Sequence, residues 1–181
     1  MSPKTRATIE DLHKVEGKAE LVNGEIVEMP PSGDDPNRAS VSITMSLRQY
    51  ERRTGQGRAY GDGAGFTVHL PHRESFSPDA AYHLGPRTGM RFLEGAPIFA
   101  VQVRSEHDYG PTAERAMRQK RADYLACGTL VVWDVDLLSP DVIKSYKASD
   151  PDNPVIFQRG DIADAEPAVP AWRMPVDELF G

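Results

Sequence analysis

Residues 98–135 read IFAVQVRSEHDYGPTAERAMRQKRADYLACGTLVVWDV. Ile98 to Arg104 is rich in valine and reads as a strand. Thr112 to Cys127 carries a helical period and is closed by Gly128, a helix with its stop signal. Thr129 to Val135 is an apolar run and reads as a buried strand. On a wheel of about 100° per residue, Ala113, Ala116, Met117, Tyr124 and Cys127 share one face, with Lys120 at its centre. Arg115, Arg118, Arg121 and Asp123 fall elsewhere. An isolated buried ammonium is expensive, so a lysine in a core-facing stripe either snorkels to water or meets an anion. On the wheel alone the two readings are evenly balanced. The second makes Lys120 a functional lysine aimed at acidic residues of the sheet.

Strand alternation supplies its candidate partners. Along Phe99 to Arg104, Phe99, Val101 and Val103 face one side, and Ala100, Gln102 and Arg104 the other. A polar Gln102 between two valines needs hydrogen-bond partners. In Asp79 to His83, a short strand after Ser77-Pro78, Asp79 shares a face with Ala81 and His83. Asp79, Gln102, Arg104 and Lys120 therefore converge if this sheet face meets the helix. Taken singly, each is ordinary, and Asp79 after a proline also suits a turn.

Working outward, Thr8 caps a short first helix, with Asp11 at the third position and Gly17 as its stop. Ala19 to Met29 is a hairpin centred on Asn23-Gly24. Pro30 to Pro36 is a loop. A helix follows from Asn37 to Arg53, with Val41, Leu47 and Tyr50 on its apolar face and Ile43 flanking it. Arg58 to Leu70 holds one or two strands broken by glycines. Val142–Lys147 and Val155–Gln158 read as a terminal hairpin with a long turn. This order of elements is a mixed α/β domain.

Length and charge narrow the classes. A chain of 181 residues is one domain at about 150 residues each. With 21 Lys plus Arg against 27 Asp plus Glu, the net charge is −6, which argues against coating nucleic acid through bulk positive charge but leaves room for a local basic strip. A single cysteine, Cys127, excludes an intramolecular disulfide framework and suits a reducing compartment. The N-terminus lacks an apolar signal core, and no apolar run approaches the roughly 20 residues of a membrane span. The expected location is cytoplasmic, with no membrane partner.

Several segments, in order, resemble one family. Ala19-Glu20-Leu21-Val22-Asn23-Gly24-Glu25-Ile26-Val27-Glu28-Met29-Pro30 is similar to the opening of the Uma2 family, a branch of the PD-(D/E)xK restriction-endonuclease-like superfamily. Ser77-Pro78-Asp79-Ala80-Ala81 resembles its Ser-Pro-Asp segment, Gln119 to Gly128 its lysine helix, Leu130 to Asp136 the strand that follows, and Val169 to Phe180 its closing segment. Each motif alone is weak; five in order are fairly specific. The resemblance implies a restriction-endonuclease-like mixed β-sheet flanked by α-helices and a metal-dependent endonuclease that hydrolyses phosphodiester bonds of nucleic acid, DNA foremost. It implies Mg²⁺ or Mn²⁺ held by Glu20, Asp79 and Gln102, with Lys120 assisting at the phosphate. By analogy with superfamily nucleases, it implies a homodimer.

Departures from the family pattern suggest a partly degenerate site. Gln102 stands where the family usually has glutamate, and Pro36 where it tends to have histidine. Arg104 takes a slot that is usually apolar. Glu20 and Asp79 contribute about −2, and Arg104 and Lys120, if both point inward, about +2, so metal should bind weakly at rest. Arg104 is then a candidate for substrate phosphate. The alternative is a catalytically inactive protein on the same fold that binds nucleic acid or phosphate in a regulatory role. Asp62 and Asp108 read first as turn residues and second as supplements to the site. His69, His72 and His83 do not have zinc spacing, and Cys127 reads as an inert buried thiol. Arg48, Arg52, Arg53 and Arg58 read first as a solvated face and second as a DNA-contacting strip.

Overall fold

The structure, a computed structural model, describes residues 4–181. Helix α1 (Ile9–His13) begins as expected: the Thr8 hydroxyl accepts the Asp11 N–H, and the Asp11 carboxylate accepts the Thr8 N–H. It ends four residues before Gly17. Strands β1 (Ala19–Val22) and β2 (Glu25–Glu28) form the Asn-Gly hairpin, with φ of 52° at Asn23 and 72° at Gly24 as a type I′ turn requires. Helix α2 (Asp34–Thr54) starts three residues earlier than its sequence pattern suggests. Pro36 sits in its first turn, where a missing N–H removes no helical hydrogen bond. Its buried stripe is Ala39, Ile43, Leu47 and Tyr50, while Val41 is 47% exposed. Ile43, one turn before Leu47, takes the place expected of Val41.

Next come β3 (Arg58–Tyr60), β4 (Phe66–Leu70), β5 (Arg73–Phe76), β6 (Ala80–His83), β7 (Leu93–Glu94) and β8 (Phe99–Val103). Helix α3 (Pro111–Ala126) leads to β9 (Val131–Val135), which lies parallel to β8 with Gln102 opposite Asp134. Then follow β10 (Ile143–Lys147), β11 (Asp150–Phe157), β12 (Ile162–Ala165), β13 (Val169–Pro175) and a 3₁₀ turn over Val176–Phe180. The turn between β10 and β11 is short rather than long, because Lys147 already pairs with Asp150. Strands β5, β7, β12 and β13 were not anticipated from sequence, and because β12 and β13 follow it the β10–β11 hairpin is not terminal.

Six strands form a sheet in the order β11-β10-β9-β8-β6-β3, and five form a second in the order β2-β1-β5-β4-β7. One face of the larger sheet carries Phe99, Val101, Trp133 and Val135 against Ile43, Leu47 and Tyr50 of α2 and Trp172 and Met174 of β13. Trp133 stands 5.3 Å from Trp172 and edge-on to Phe99 at 5.1 Å, centroid to centroid. The opposite face is built from small residues, Ala81 and Ala100, with Val132. Tyr124 of α3 and Phe66 and Phe76 of the second sheet close over it. Farther along that face, Gln102 and Arg104 replace alanine. There the apolar core gives way to a polar cavity. Among the described residues no helix is long and apolar enough to cross a membrane.

Candidate functional site

A cavity of about 720 Å³ opens between α3, the ends of β6 and β8, and the chain entering β1; Lys18, Asp62, Asp79, Gln102, Lys120 and Arg121 are among its lining residues. Of the two readings the wheel left open, Lys120 takes the inward one. Its side chain is 16% exposed, and its Nζ lies 2.8 Å from Glu20 Oε1. Glu20, in β1, is 3% exposed. Its Oε1 also accepts the Ser77 N–H at 2.7 Å, and its Oε2 accepts from Arg73 Nη1 at 2.8 Å. Burial pushes the Glu20 carboxyl up, but the charges of Lys120 and Arg73, with hydrogen bonds from Lys120 and the Ser77 N–H, outweigh it and hold the group below its ordinary value.

Arg73 continues the chain of charges. Its Nε donates to Asp123 Oδ2 at 3.1 Å, and Asp123 Oδ1 is met by His72 Nε2 at 2.7 Å and Gln119 Nε2 at 2.9 Å. Asp123, placed off the inward face by the wheel, is buried because Arg73 comes to meet it. Lys120 and Asp123 thus fasten α3 to the second sheet through Glu20 and Arg73. Beside them the Ser77 hydroxyl is buried without a partner among the described residues. Since Glu20 is held by the Ser77 main chain and not its side chain, Ser77→Ala removes only an unsatisfied polar group. Its melting temperature should match or exceed that of the parent.

Asp79 lies apart from Lys120's ion pair and has its own cation. Its Oδ2 accepts the Val103 N–H at 2.6 Å, and its Oδ1 lies 2.8 Å from Lys18 Nζ. The same Nζ is 2.6 Å from Asp62 Oδ1. Burial lowers the Lys18 pKa, but Asp79 and Asp62 together outweigh this and raise it above its ordinary value. The Ser40 hydroxyl donates to the Asp79 carbonyl at 2.6 Å, which ties the start of β6 to α2. Gln102 Nε2 donates to the Tyr124 hydroxyl at 3.1 Å, which leaves the amide oxygen for another partner. Burial, reinforced by the Glu20 charge, pushes the Tyr124 phenol well above its ordinary pKa, so it stays neutral.

Arg104 changes the charge sum drawn from the sequence. It lines the cavity, but Asp134 holds it with two parallel bonds, Nε to Oδ1 at 2.9 Å and Nη2 to Oδ2 at 2.8 Å. Glu114 pairs with both terminal nitrogens, and the Asp108 carbonyl accepts at 3.2 Å. Two carboxylates therefore cancel its charge, and its fork is not displayed to the cavity as a free phosphate ligand. The expected near-zero sum over Glu20, Asp79, Arg104 and Lys120 gives way to separate ion-pair groups. Lys18, Arg73 and Asp134 were missed. Arg73 lies in a strand with too few apolar residues to be recognised, and Lys18 precedes β1 with no local pattern to mark it.

Remaining candidates separate. Asp108 closes a turn by accepting the Ser105 N–H at 2.7 Å. His72 meets Asp123, whereas His83 meets the Glu94 carbonyl. Cys127 is half-buried rather than buried, and its partial burial pushes the thiol up, which suits an inert residue. Arg48 pairs with Glu51, while Arg58 turns to the Tyr60 hydroxyl and the Gly85 carbonyl.

Among the described residues no cluster of three or more His, Cys, Asp or Glu side chains is arranged for a metal ion. The oxygens that do converge are Asp79 Oδ1 and Asp62 Oδ1, on the one Lys18 nitrogen, and Gln102 lines the same cavity. They suit a hard divalent cation in kind. The position between the two carboxylates already holds one positive charge, the Lys18 ammonium. Such a donor set fits Mg²⁺ or Mn²⁺, provided that this ammonium moves aside.

No match was found among curated proteins. A crystal structure described as "a putative nuclease belonging to DUF820", from Anabaena variabilis ATCC 29413, is 16% identical; the alignment covers 96% of this chain and 97% of that one, with a TM-score of 0.74. At that identity the likeness speaks for the fold, which is restriction-endonuclease-like. The family model Uma2, described as "Putative restriction endonuclease", matches residues 8–177, and the chain belongs to the Uma2 family.

Proposed function

We propose that this chain is a divalent-metal-dependent endonuclease that hydrolyses phosphodiester bonds of nucleic acid, with DNA as its substrate. The observation that carries the reading is the entry of Lys120, Asp79 and Gln102, from three separate elements, into one cavity. Family membership supports the nuclease class. Asp79 and Gln102, joined by Asp62, would hold Mg²⁺ or Mn²⁺. A bound divalent ion there would polarise the phosphoryl oxygen and make water a better nucleophile. Lys120 supplies a fixed positive charge for the phosphate and for the charge that develops during attack. Glu20, expected as a metal ligand, instead serves as a positioning residue, since both its oxygens are taken by Lys120, Arg73 and the Ser77 N–H.

Metal affinity is low at rest because the carboxylates share an ammonium and Gln102 adds no charge. Nucleic acid brings its own phosphate oxygens and restores negative charge when it enters. One such cavity acts on one strand at a time, so a nick is the expected product, and a cut duplex requires two copies. Incubation of the full chain with supercoiled plasmid at high Mn²⁺ tests the proposal. Nicking should appear with the parent chain and disappear with Asp79→Ala and with Lys120→Ala, circular dichroism showing both variants folded. Metal-independent DNA binding with no cleavage of any DNA or RNA form would overturn it in favour of a binding protein on this fold.

A further inference from the structure

We propose that Lys18 is the resident cation of this site: its ammonium occupies the place between Asp62 and Asp79 that a divalent ion would take, and metal binds only by displacing it. This rests on the reading of Asp79 as a metal-holding residue. Asp79 Oδ2 is committed to the Val103 N–H, so Oδ1 is the oxygen it has to offer, and Lys18 holds that oxygen at 2.8 Å. Asp62 offers its Oδ1 to the same nitrogen at 2.6 Å. Two carboxylates that meet on one compact point charge present a small divalent ion with oxygens that need to close in by only about half an ångström. An ammonium and a divalent ion cannot share that place without strong like-charge repulsion.

Among the cations of the cavity, Lys18 is the one built to leave. Arg73 and Lys120 are fixed by Glu20, a carboxylate at 3% exposure that has no other neutralising charge. Lys18 is held by carboxylates whose side chains are themselves partly open, Asp62 at 32%. Its four-carbon stem is flexible. Gly17 precedes it at φ 95°, with nothing within 4 Å of where a Cβ would sit, so the chain beside Lys18 has open space. Asp62 thereby gains a role that its loop position hid: it makes the second wall of the cation site.

The test uses the full chain and Mn²⁺ alone as the probe, followed by calorimetry. Lys18→Met should lower the Mn²⁺ dissociation constant by about tenfold or more, and adding Asp62→Asn should reverse most of that gain. Lys18→Gln is the second variant should the methionine chain not fold. The parent chain gives an independent readout: acylation of Lys18 by an N-hydroxysuccinimide ester, read by peptide mass spectrometry, should rise several-fold when Mn²⁺ is added, while the other lysines change little. Equal Mn²⁺ affinity in the parent and the Lys18 variants, or Lys18 acylation unmoved by Mn²⁺, would overturn the inference. Tighter Mn²⁺ binding in Lys18→Met with no cleavage by any variant would leave the displacement standing and remove the nuclease reading. Mn²⁺-dependent nicking with affinity unmoved by Lys18 would do the reverse.

Discussion

Replacing Arg73 with methionine should cost the folded chain about 3–5 kcal/mol, the range for leaving a buried charge without its partner. Arg73 is 7% exposed and serves two carboxylates that are as deeply buried, Glu20 and Asp123. Its guanidinium also lies 4.8 Å from the centre of the Phe76 ring. Methionine keeps much of the volume, so the loss reports charge more than cavity. Lys120→Met is the control. It leaves Glu20 with Arg73 and the Ser77 N–H, and should cost only about 1.5–3 kcal/mol, as for one charged hydrogen bond. Urea midpoints at equal slope would give the order of the two. If Arg73→Met cost no more than Lys120→Met, the network could not be what fastens α3 to the second sheet.

The pH dependence has a definite sign. Glu20 is held below its ordinary value of 4.5, since Lys120 and Arg73 outweigh its burial. A carboxyl depressed by folding lends stability that is fully present above its unfolded value and is lost as pH falls through its folded value. Without Lys120 the depression is smaller. The stability gap between the parent and Lys120→Met should therefore be widest above pH 4.5 and narrow on acidification below it. Urea titrations at a series of pH values check this, and a gap that widened with acid would contradict the pairing.

Elements with strong local signals were legible from sequence. The Asn23-Gly24 hairpin, the Thr8 cap and the β8–α3–β9 stretch follow from turn chemistry, capping and periodicity, whereas periodicity put Lys120 on the core-facing stripe but left open whether it turned inward or out to water. Strand β5 was not, because its inward residues Arg73 and Ser75 are polar and look like a surface until Glu20 and Asp123 are placed against them. Asp123 illustrates the same limit: periodicity sorts apolar from polar, and it assigns a buried ion pair to the wrong side. Strand alternation put Arg104 on the cavity side without settling its direction, and its charge was misjudged because Asp134 arrives from a neighbouring strand and Glu114 from the start of α3. Charge bookkeeping on a single chain fails where counter-charges come from segments with no pattern of their own. Lys18 is the sharpest case, a residue outside any regular element that pairs with Asp79, 61 positions on.

Gln102→Glu should tighten Mn²⁺ binding by about a hundredfold, since charge count is a main lever on affinity for a hard cation. The change preserves length and shape and adds one negative charge to the cavity face of β8. It should not leave a stranded group. The Tyr124 phenol, kept neutral by burial, now accepts the Gln102 amide and can turn its own proton toward a carboxylate. Nor should Arg104 capture the new charge, because Asp134 and Glu114 already saturate it. Lys18 and a divalent ion would both meet one more negative charge in the cavity. A divalent ion carries twice the charge and gains the more. Without metal the variant should melt below the parent; with saturating Mn²⁺ it should melt above it, as binding to the folded state requires. Calorimetry, melting curves and plasmid nicking read the three effects separately. Faster nicking together with tighter binding would identify the missing carboxylate as what weakens the parent. Unchanged Mn²⁺ affinity would place the ion elsewhere than beside Gln102. Combined with Lys18→Met, the two gains should not simply add, because both changes act on one ion at contact distance.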